Sequence, residues 1–207
     1  MFLAPEIIRK CEKCSRLIEQ FDLLSGNTLG GQYWTDGFKR FPMLPEQPWL
    51  VKCPYCESLL WIDEQELFDE ENILLTEQRS EGTRPYSMVS IVDVRDKLQE
   101  KNLSKRKELY LRIQLWWKSN DHVRNGGNGK VQVFHMQENL RVLLKLLTDQ
   151  DDNSVIMMAE IHRQLGEFGE TKRLLNREFD VEFNLIVSLI RDLADKKIGM
   201  VRELVYD

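Results

Sequence analysis

Apolar positions along this chain follow two different rhythms. From Val89 onward they recur at spacings of three and four, the period of an amphipathic helix. This predicts a short helix over 89–99 capped by Ser87 or Ser90. A second helix is predicted from the N-cap Ser104 through Trp117, with Glu108 nearby and Leu109, Ile113, Trp116 and Trp117 on one face. Further helices are expected over 131–147 (Leu140, Leu143, Leu144, Leu147), 154–165 (Val155, Met158, Ala159, His162, Leu165), 171–177 and 182–197. The last of these carries Phe183, Ile186, Val187, Ile190, Leu193 and Ala194 as one stripe. Gly166 should stop one helix, and the run Asn125-Gly126-Gly127-Asn128-Gly129 should separate two others, because glycine costs about 1 kcal/mol in a helix interior.

Before residue 80 the rhythm is different. Short apolar runs such as Trp49-Leu50-Val51-Lys52 and Leu59-Leu60-Trp61-Ile62 are separated by turn residues. Five of the six prolines fall here (Pro5, Pro42, Pro45, Pro48, Pro54), which blocks long helices. Asp36-Gly37 reads as a hairpin turn between Gln32–Thr35 and Phe38–Phe41. The chain is therefore expected to be α+β. A small β domain should occupy 1–80 and an all-α domain 81–207, with the boundary near Ser80, Gly82, Thr83 and Pro85.

Composition narrows the class. With 207 residues, 42% hydrophobic and 30% charged, the chain is long enough for a real core and unlike a disordered or fibrous protein. Its net charge of −5 is unevenly spread: 8 basic against 14 acidic residues over 1–80, 10 against 6 over 81–125, and 11 against 14 over 126–207. The acidic first segment opposes binding to nucleic acid. No apolar run is long enough to span a bilayer, and Glu6, Arg9 and Lys10 interrupt the place where a signal peptide needs its apolar core. The expected location is cytoplasmic.

The chemistry is concentrated in four cysteines, which form two CxxC pairs, Cys11/Cys14 and Cys53/Cys56, with 38 residues between the pairs. A CxxC turn presents two thiolates on one side, and a second turn can complete a tetrahedron of soft ligands such as zinc prefers. Strand-like runs lead into and out of Cys53-Pro54-Tyr55-Cys56, and Glu6–Lys10 is a candidate strand before Cys11. These features favour one structural zinc ion bound by Cys11, Cys14, Cys53 and Cys56, closing a long loop in a segment with little core of its own. A catalytic zinc would recruit a His or carboxylate, yet His122, His135 and His162 all lie in the helical part and no HExxH is present. CPYC also resembles a thiol redox site. Such a site needs a helix starting at its first cysteine, whereas a β-like run follows here.

Other candidates are weighed against plainer readings. Tyr33, Trp34, Phe38, Phe41 and Trp49 form either an exposed aromatic face or, as favoured, the packing around the small β domain. Asp121, His122 and Arg124 follow Trp116-Trp117 and read as solvated residues of a helix end rather than a catalytic cluster. Lys105-Arg106-Lys107 reads as a solvated face, and His162 as a satisfied core histidine. No phosphate-binding glycine pattern occurs.

Residues 154–177, with Ala159, Leu165-Gly166, Phe168, Leu174 and Leu175, resemble a tetratricopeptide-type helical hairpin. The resemblance fails at Thr171, where that family has a small alanine, and at His162, where it has an aromatic; no second copy appears at the family's spacing of about 34 residues. The order of CxxC, Tyr33-Trp34-Thr35-Asp36-Gly37, Pro42-Met43-Leu44-Pro45, CPxC with Leu60-Trp61, and Leu111-Arg112-Ile113 with Trp116-Trp117 and Asn120-Asp121 is similar to uncharacterised bacterial proteins. Those proteins join a zinc-ribbon-like N-terminus to tetratricopeptide-like helices. The resemblance implies a bacterial, cytoplasmic, binding protein without an assigned reaction. The expected function is a non-enzymatic zinc-containing adaptor that contacts another protein through its helices. The alternatives are a nucleic-acid-associated zinc ribbon protein or a CxxC thiol redox enzyme.

Overall fold

A computed structural model describes residues 2–3, 7–21, 23–45, 47–68, 82–127 and 133–205. Parts of four predicted features lie outside the described residues: Glu6 of the candidate strand before Cys11, Ser80 at the domain boundary, Asn128-Gly129 of the glycine run and residues 131–132 of the helix expected over 131–147. The architecture is α+β, with short strands in the N-terminal region followed, among the described residues, by six helices. The chain forms two compact units: residues 1–31 with 40–93, and residues 32–39 with 94–207.

In the first unit, β1 (Phe2–Leu3) pairs with β4 (Leu23–Ser25). A four-stranded sheet has β2 (Ile7–Lys10) and β3 (Leu17–Gln20) at its centre, antiparallel, with Arg9 opposite Ile18. The two-residue strand β9 (Glu66–Leu67) flanks β2, and β10 (Arg84–Pro85) runs parallel to β3. A separate hairpin joins β7 (Leu50–Lys52) to β8 (Leu59–Trp61), with Val51 opposite Leu60. The strands around Cys53–Cys56 and before Cys11 lie where the apolar runs place them, whereas β3 was not read from the sequence. Cys11, Ile18, Val51, Cys53, Leu60 and Ile62 form a buried cluster, so two of the four cysteines belong to the apolar centre itself. Ser90 caps α1 (Ile91–Lys97): its Oγ accepts from the Asp93 amide while the Asp93 carboxylate accepts from the Ser90 amide and hydroxyl. Lys52 Nζ binds the same carboxylate at 2.8 Å.

The second unit is helical except for three short strands. Helix α2 (Lys105–Arg124) starts at Ser104, whose Oγ accepts from the Lys107 amide, and extends a further two turns beyond Trp117. It is followed by α3 (Val133–Leu146), α4 (Asp152–Gln164), α5 (Phe168–Leu175) and α6 (Asn184–Asp195), the last preceded by a 3₁₀ turn over Val181–Phe183. Trp116, Leu140, Leu143 and Ile161 bind α2, α3 and α4 into one cluster. Val155, Ile156, Ala159, Leu174, Leu175, Val187 and Ile190 join α4, α5 and α6 into another. Gly166 stops α4 with φ +79°: its amide bonds to Arg163 O and the Glu167 amide to His162 O, a turn that needs the left-handed backbone open to glycine. Thr171, where the tetratricopeptide pattern expects alanine, is fully buried and donates its hydroxyl to the Ala159 carbonyl at 3.1 Å.

The strands of this unit come from opposite ends of the chain. The hairpin of β5 (Gln32–Trp34) and β6 (Lys39–Arg40) turns at Gly37, φ +77°. On its other side β5 pairs with β11 (Glu203–Leu204), setting Glu203 opposite Trp34.

Candidate functional site

Each CxxC pair sits on a turn of the same backbone construction. In the first, the Ser15 amide bonds to Cys11 O and the Cys11 amide to Arg16 O; in the second, the Glu57 amide bonds to Cys53 O and the Cys53 amide to Ser58 O. Ser15 and Glu57 adopt the left-handed backbone at φ +60° and +58°. Such turns free backbone amides to face sulfur, and the Lys13 amide donates to Cys11 Sγ at 3.4 Å. Gln65, buried, ties the first turn to β8: its side-chain oxygen accepts from the Glu12 amide at 3.0 Å and its amide group donates to Trp61 O at 3.2 Å.

The two turns face one another. Cys11 Sγ lies 3.9 Å from Cys56 Sγ, and Cys14 Sγ 3.7 Å from Cys53 Sγ. All four sulfurs fall within 4.8 Å of one another. A tetrahedral ion with bonds of about 2.3 Å to sulfur requires sulfurs about 3.8 Å apart. The four cysteines are thus arranged as a possible metal site. Cys11 and Cys53 are buried, Cys14 half-buried and Cys56 exposed. Burial pushes the Cys11 thiol up to about 12, and raises Cys53 as well. For Cys56 burial acts in the same direction, but hydrogen bonds from Ser58 and from the neighbouring cysteines outweigh it and bring the thiol to about 6. No histidine or carboxylate joins the cluster among the described residues.

A second constellation lies within the helical unit and was not anticipated. Asp36, at the hairpin turn, is almost completely buried, and its carboxylate accepts from Asn120 Nδ2 at 2.8 Å and from the Arg124 guanidinium. Arg124 also donates to Trp117 O and to Asp121, and lies over the Phe38 ring, 4.2 Å from its centre. Its side chain is fully buried, so the reading of Arg124 as a solvated helix-end residue is corrected. Beside it the Thr35 hydroxyl donates to Glu160 at 2.8 Å, and Arg163 forks onto Glu160 through Nε and Nη2. Nη1 of Arg163 donates to Ile198 O and Met200 O. Gln164 accepts from Trp116 Nε1 at 2.9 Å and donates to Glu160 at 2.8 Å.

Two carboxylates and two guanidiniums therefore balance inside the unit, each hydrogen-bonded as buried charge requires, although Arg124 Nε has no acceptor among the described residues. Burial pushes the Asp36 carboxyl upward, opposed by Arg124 and Asn120. This network offers no free acid or base; what it does is hold Thr35 and Asp36 against α2 and α4. The aromatic face read from the sequence is divided accordingly: Trp34 and Phe38 pack about Arg124 in the helical unit, whereas Trp49 packs on Trp61 in the β unit at 4.8 Å. One signal of the network was present in the sequence. Glu160 and Arg163 lie three apart directly after the apolar run Val155-Ile156-Met157-Met158-Ala159, where a solvated pair is out of place.

His162 binds Glu167 at 2.6 Å through Nδ1 and is not part of any metal cluster among the described residues. Burial would raise Glu167, but hydrogen bonds from His162 and Arg141 hold it below the ordinary carboxylate range. No described helix is long and apolar enough to cross a membrane.

Comparison with models of known families, with curated proteins and with solved structures finds no match for this chain.

Proposed function

We propose that Cys11, Cys14, Cys53 and Cys56 bind one structural zinc ion as a zinc-ribbon-like centre, and that the protein is a non-enzymatic interaction module. The observation that carries the metal half is the set of four sulfurs within 4.8 Å of one another, with Cys11–Cys56 and Cys14–Cys53 at 3.9 and 3.7 Å. Four protein ligands leave no open position for water or substrate, which suits a structural rather than a catalytic ion. Backbone amides directed at sulfur, as Lys13 is to Cys11, offset the two negative charges that four thiolates retain around Zn²⁺. Four free cysteines also suit a cytoplasmic protein, where thiols stay reduced.

The interaction half rests on apolar side chains that the helical unit leaves in water. Val181 is 83% exposed, and Leu185, one helical turn further on, is 40% exposed. A protein partner meeting this surface would cover both. The fully buried pairs Asp36–Arg124 and Glu160–Arg163 are instead spent on internal pairing, which argues against chemistry at them.

Nucleic-acid binding is the second reading, and one feature favours it. Arg16 and Arg84 both lie over Tyr55 in the second CxxC turn, at 5.0 and 5.2 Å from the ring centre. The excess of acidic residues over 1–80 opposes it.

Metal analysis of the purified chain should find one zinc ion, and cobalt substitution should give the absorption of a tetrahedral tetrathiolate. A well-folded, metal-free protein would overturn the zinc centre. For the interaction half, cross-linking in the source cell should capture one reproducible protein partner that Val181→Glu with Leu185→Glu abolishes. Salt-sensitive binding to an oligonucleotide, lost in Arg16→Gln with Arg84→Gln, would replace that half with the second reading.

A further inference from the structure

A cleft of about 340 Å³ opens in the helical unit between the β5–β6 hairpin and the start of α6. This is the small end of the range of about 300–1,000 Å³ seen for small-molecule sites. Its walls are mainly apolar and aromatic: Tyr33, Trp34 and Phe38 from the hairpin face Ile156, Phe183 and Ile186 from the helices. The buried network described above fixes the hairpin wall, because Asp36 is clamped by Asn120 and Arg124 and Thr35 by Glu160 and Arg202. The site is therefore preformed rather than a gap that a ligand must open.

Three charged residues line the cleft. Asp36 is committed to Arg124 and Asn120, which leaves Lys39 on the hairpin and Glu182 on the 3₁₀ turn. Both are exposed, and neither has an ion-pair partner among the described residues. Lys39 only rests over the Tyr33 ring, 5.9 Å from its centre. Trp34, nine-tenths buried in the same wall, has an Nε1–H with no acceptor among the described residues. One cation and one carboxylate, each unpaired, thus border an aromatic interior of small volume.

We infer that this cleft binds a small zwitterion with an aromatic body, the chemistry of a free aromatic amino acid. The ring enters among Tyr33, Phe183, Ile156 and Ile186. The ligand carboxylate meets Lys39, and its ammonium meets Glu182. A ligand carrying one charge would leave one of these residues unanswered, and a neutral apolar ligand would leave both. The inference does not depend on the zinc centre, which lies in the other unit.

The test is calorimetric titration of the full-length protein with L-phenylalanine, 3-phenylpropionate (no ammonium) and 2-phenylethylamine (no carboxylate). L-Phenylalanine should bind one-to-one, and each analogue should bind about two- to fivefold more weakly, the range expected of an exposed charge pair. Lys39→Gln should erase the advantage of phenylalanine over 2-phenylethylamine, and Glu182→Gln its advantage over 3-phenylpropionate. Both residues are exposed and outside the buried network, so the variants should keep wild-type circular dichroism. The inference is overturned by no binding of any of the three at millimolar concentration. Equal affinity for all three, or affinities indifferent to both substitutions, would overturn it as well. So would binding of the blocked peptide acetyl-Gly-Phe-Gly-amide at the affinity of phenylalanine, which would make the cleft a docking site for another chain.

Discussion

In the β unit the strands of the main sheet and of the β7–β8 hairpin are two to four residues long, and the core is a handful of side chains gathered around four sulfurs. In the helical unit two apolar clusters spread over five helices, and a balanced set of buried charges sits between α2, α4 and the hairpin. The first unit depends on one point where distant segments meet. The second distributes its cohesion over many contacts, and uses polar groups to decide which segment goes where. Small β structures bury too little surface to stand unaided, whereas amphipathic helices stack their own core.

The sharpest way to break this contrast is to remove the point clamp. Chelation of the proposed zinc ion, or Cys53→Ser, should unfold the β unit cooperatively, because structural zinc supplies on the order of 10–16 kcal/mol in small zinc-dependent folds. Amide signals of β2, β3, β7 and β8 should collapse in an NMR spectrum while helical circular dichroism largely persists. Survival of the β signals without metal would erase the distinction.

Next in size is the buried pair of the helical unit. Arg124→Met leaves Asp36 as an uncompensated buried carboxylate and should cost about 3–5 kcal/mol in urea denaturation. Adding Asp36→Leu should recover much of that loss, since replacing both members of a buried pair by apolar residues is often near neutral. If the double variant is as unstable as the single one, the pair acts through its hydrogen bonds to Asn120 and the Phe38 amide rather than through charge balance.

A smaller effect belongs to Asp93. Burial works against its ionisation, but hydrogen bonds from Lys52 and Ser90 and the Lys52 charge hold it down at about 2, against the ordinary 3.8. A carboxyl lowered on folding stabilises the protein fully above its unfolded pKa, and the benefit drains away as pH falls from about 4 towards 2. Asp93→Asn should cost about 1–2 kcal/mol at pH 7, after allowance for partial exposure, and the gap from wild type should narrow below pH 4. Denaturation at several pH values reads it directly. Smallest is Ser104→Ala, which removes the α2 cap and should cost about 1 kcal/mol without touching the cleft or the sulfurs.

These features were not equally legible in the amino-acid order. Cys11/Cys14 and Cys53/Cys56 announce themselves because ligand spacing within a turn is a local property. Ser104 and Gly166 mark helix ends for the same reason, their partners lying within a few residues. Strand β3 went unread because Leu17-Ile18-Glu19-Gln20 has no alternation and is defined by its pairing with β2. Asp36-Gly37 was legible as a turn, while the burial of that turn was not: Asp36 meets Asn120 from 84 residues away.

The sequence by itself determined the α+β class, the approximate positions of the main helices, the Ser104 cap and the Gly166 stop, and the paired cysteine turns. Each follows from interactions that close within about one turn of chain, where residue type and spacing suffice. The tertiary structure decided that hairpin 32–39 belongs to the helical unit, pairing there with Glu203 and Leu204 from the other end of the chain. It also decided that Arg124 is buried, and that Lys39 and Glu182 border one cleft. Contacts such as Thr35 with the Arg202 amide, 167 residues apart, carry no local signature, because a buried polar group is recognised only by the partner that satisfies it.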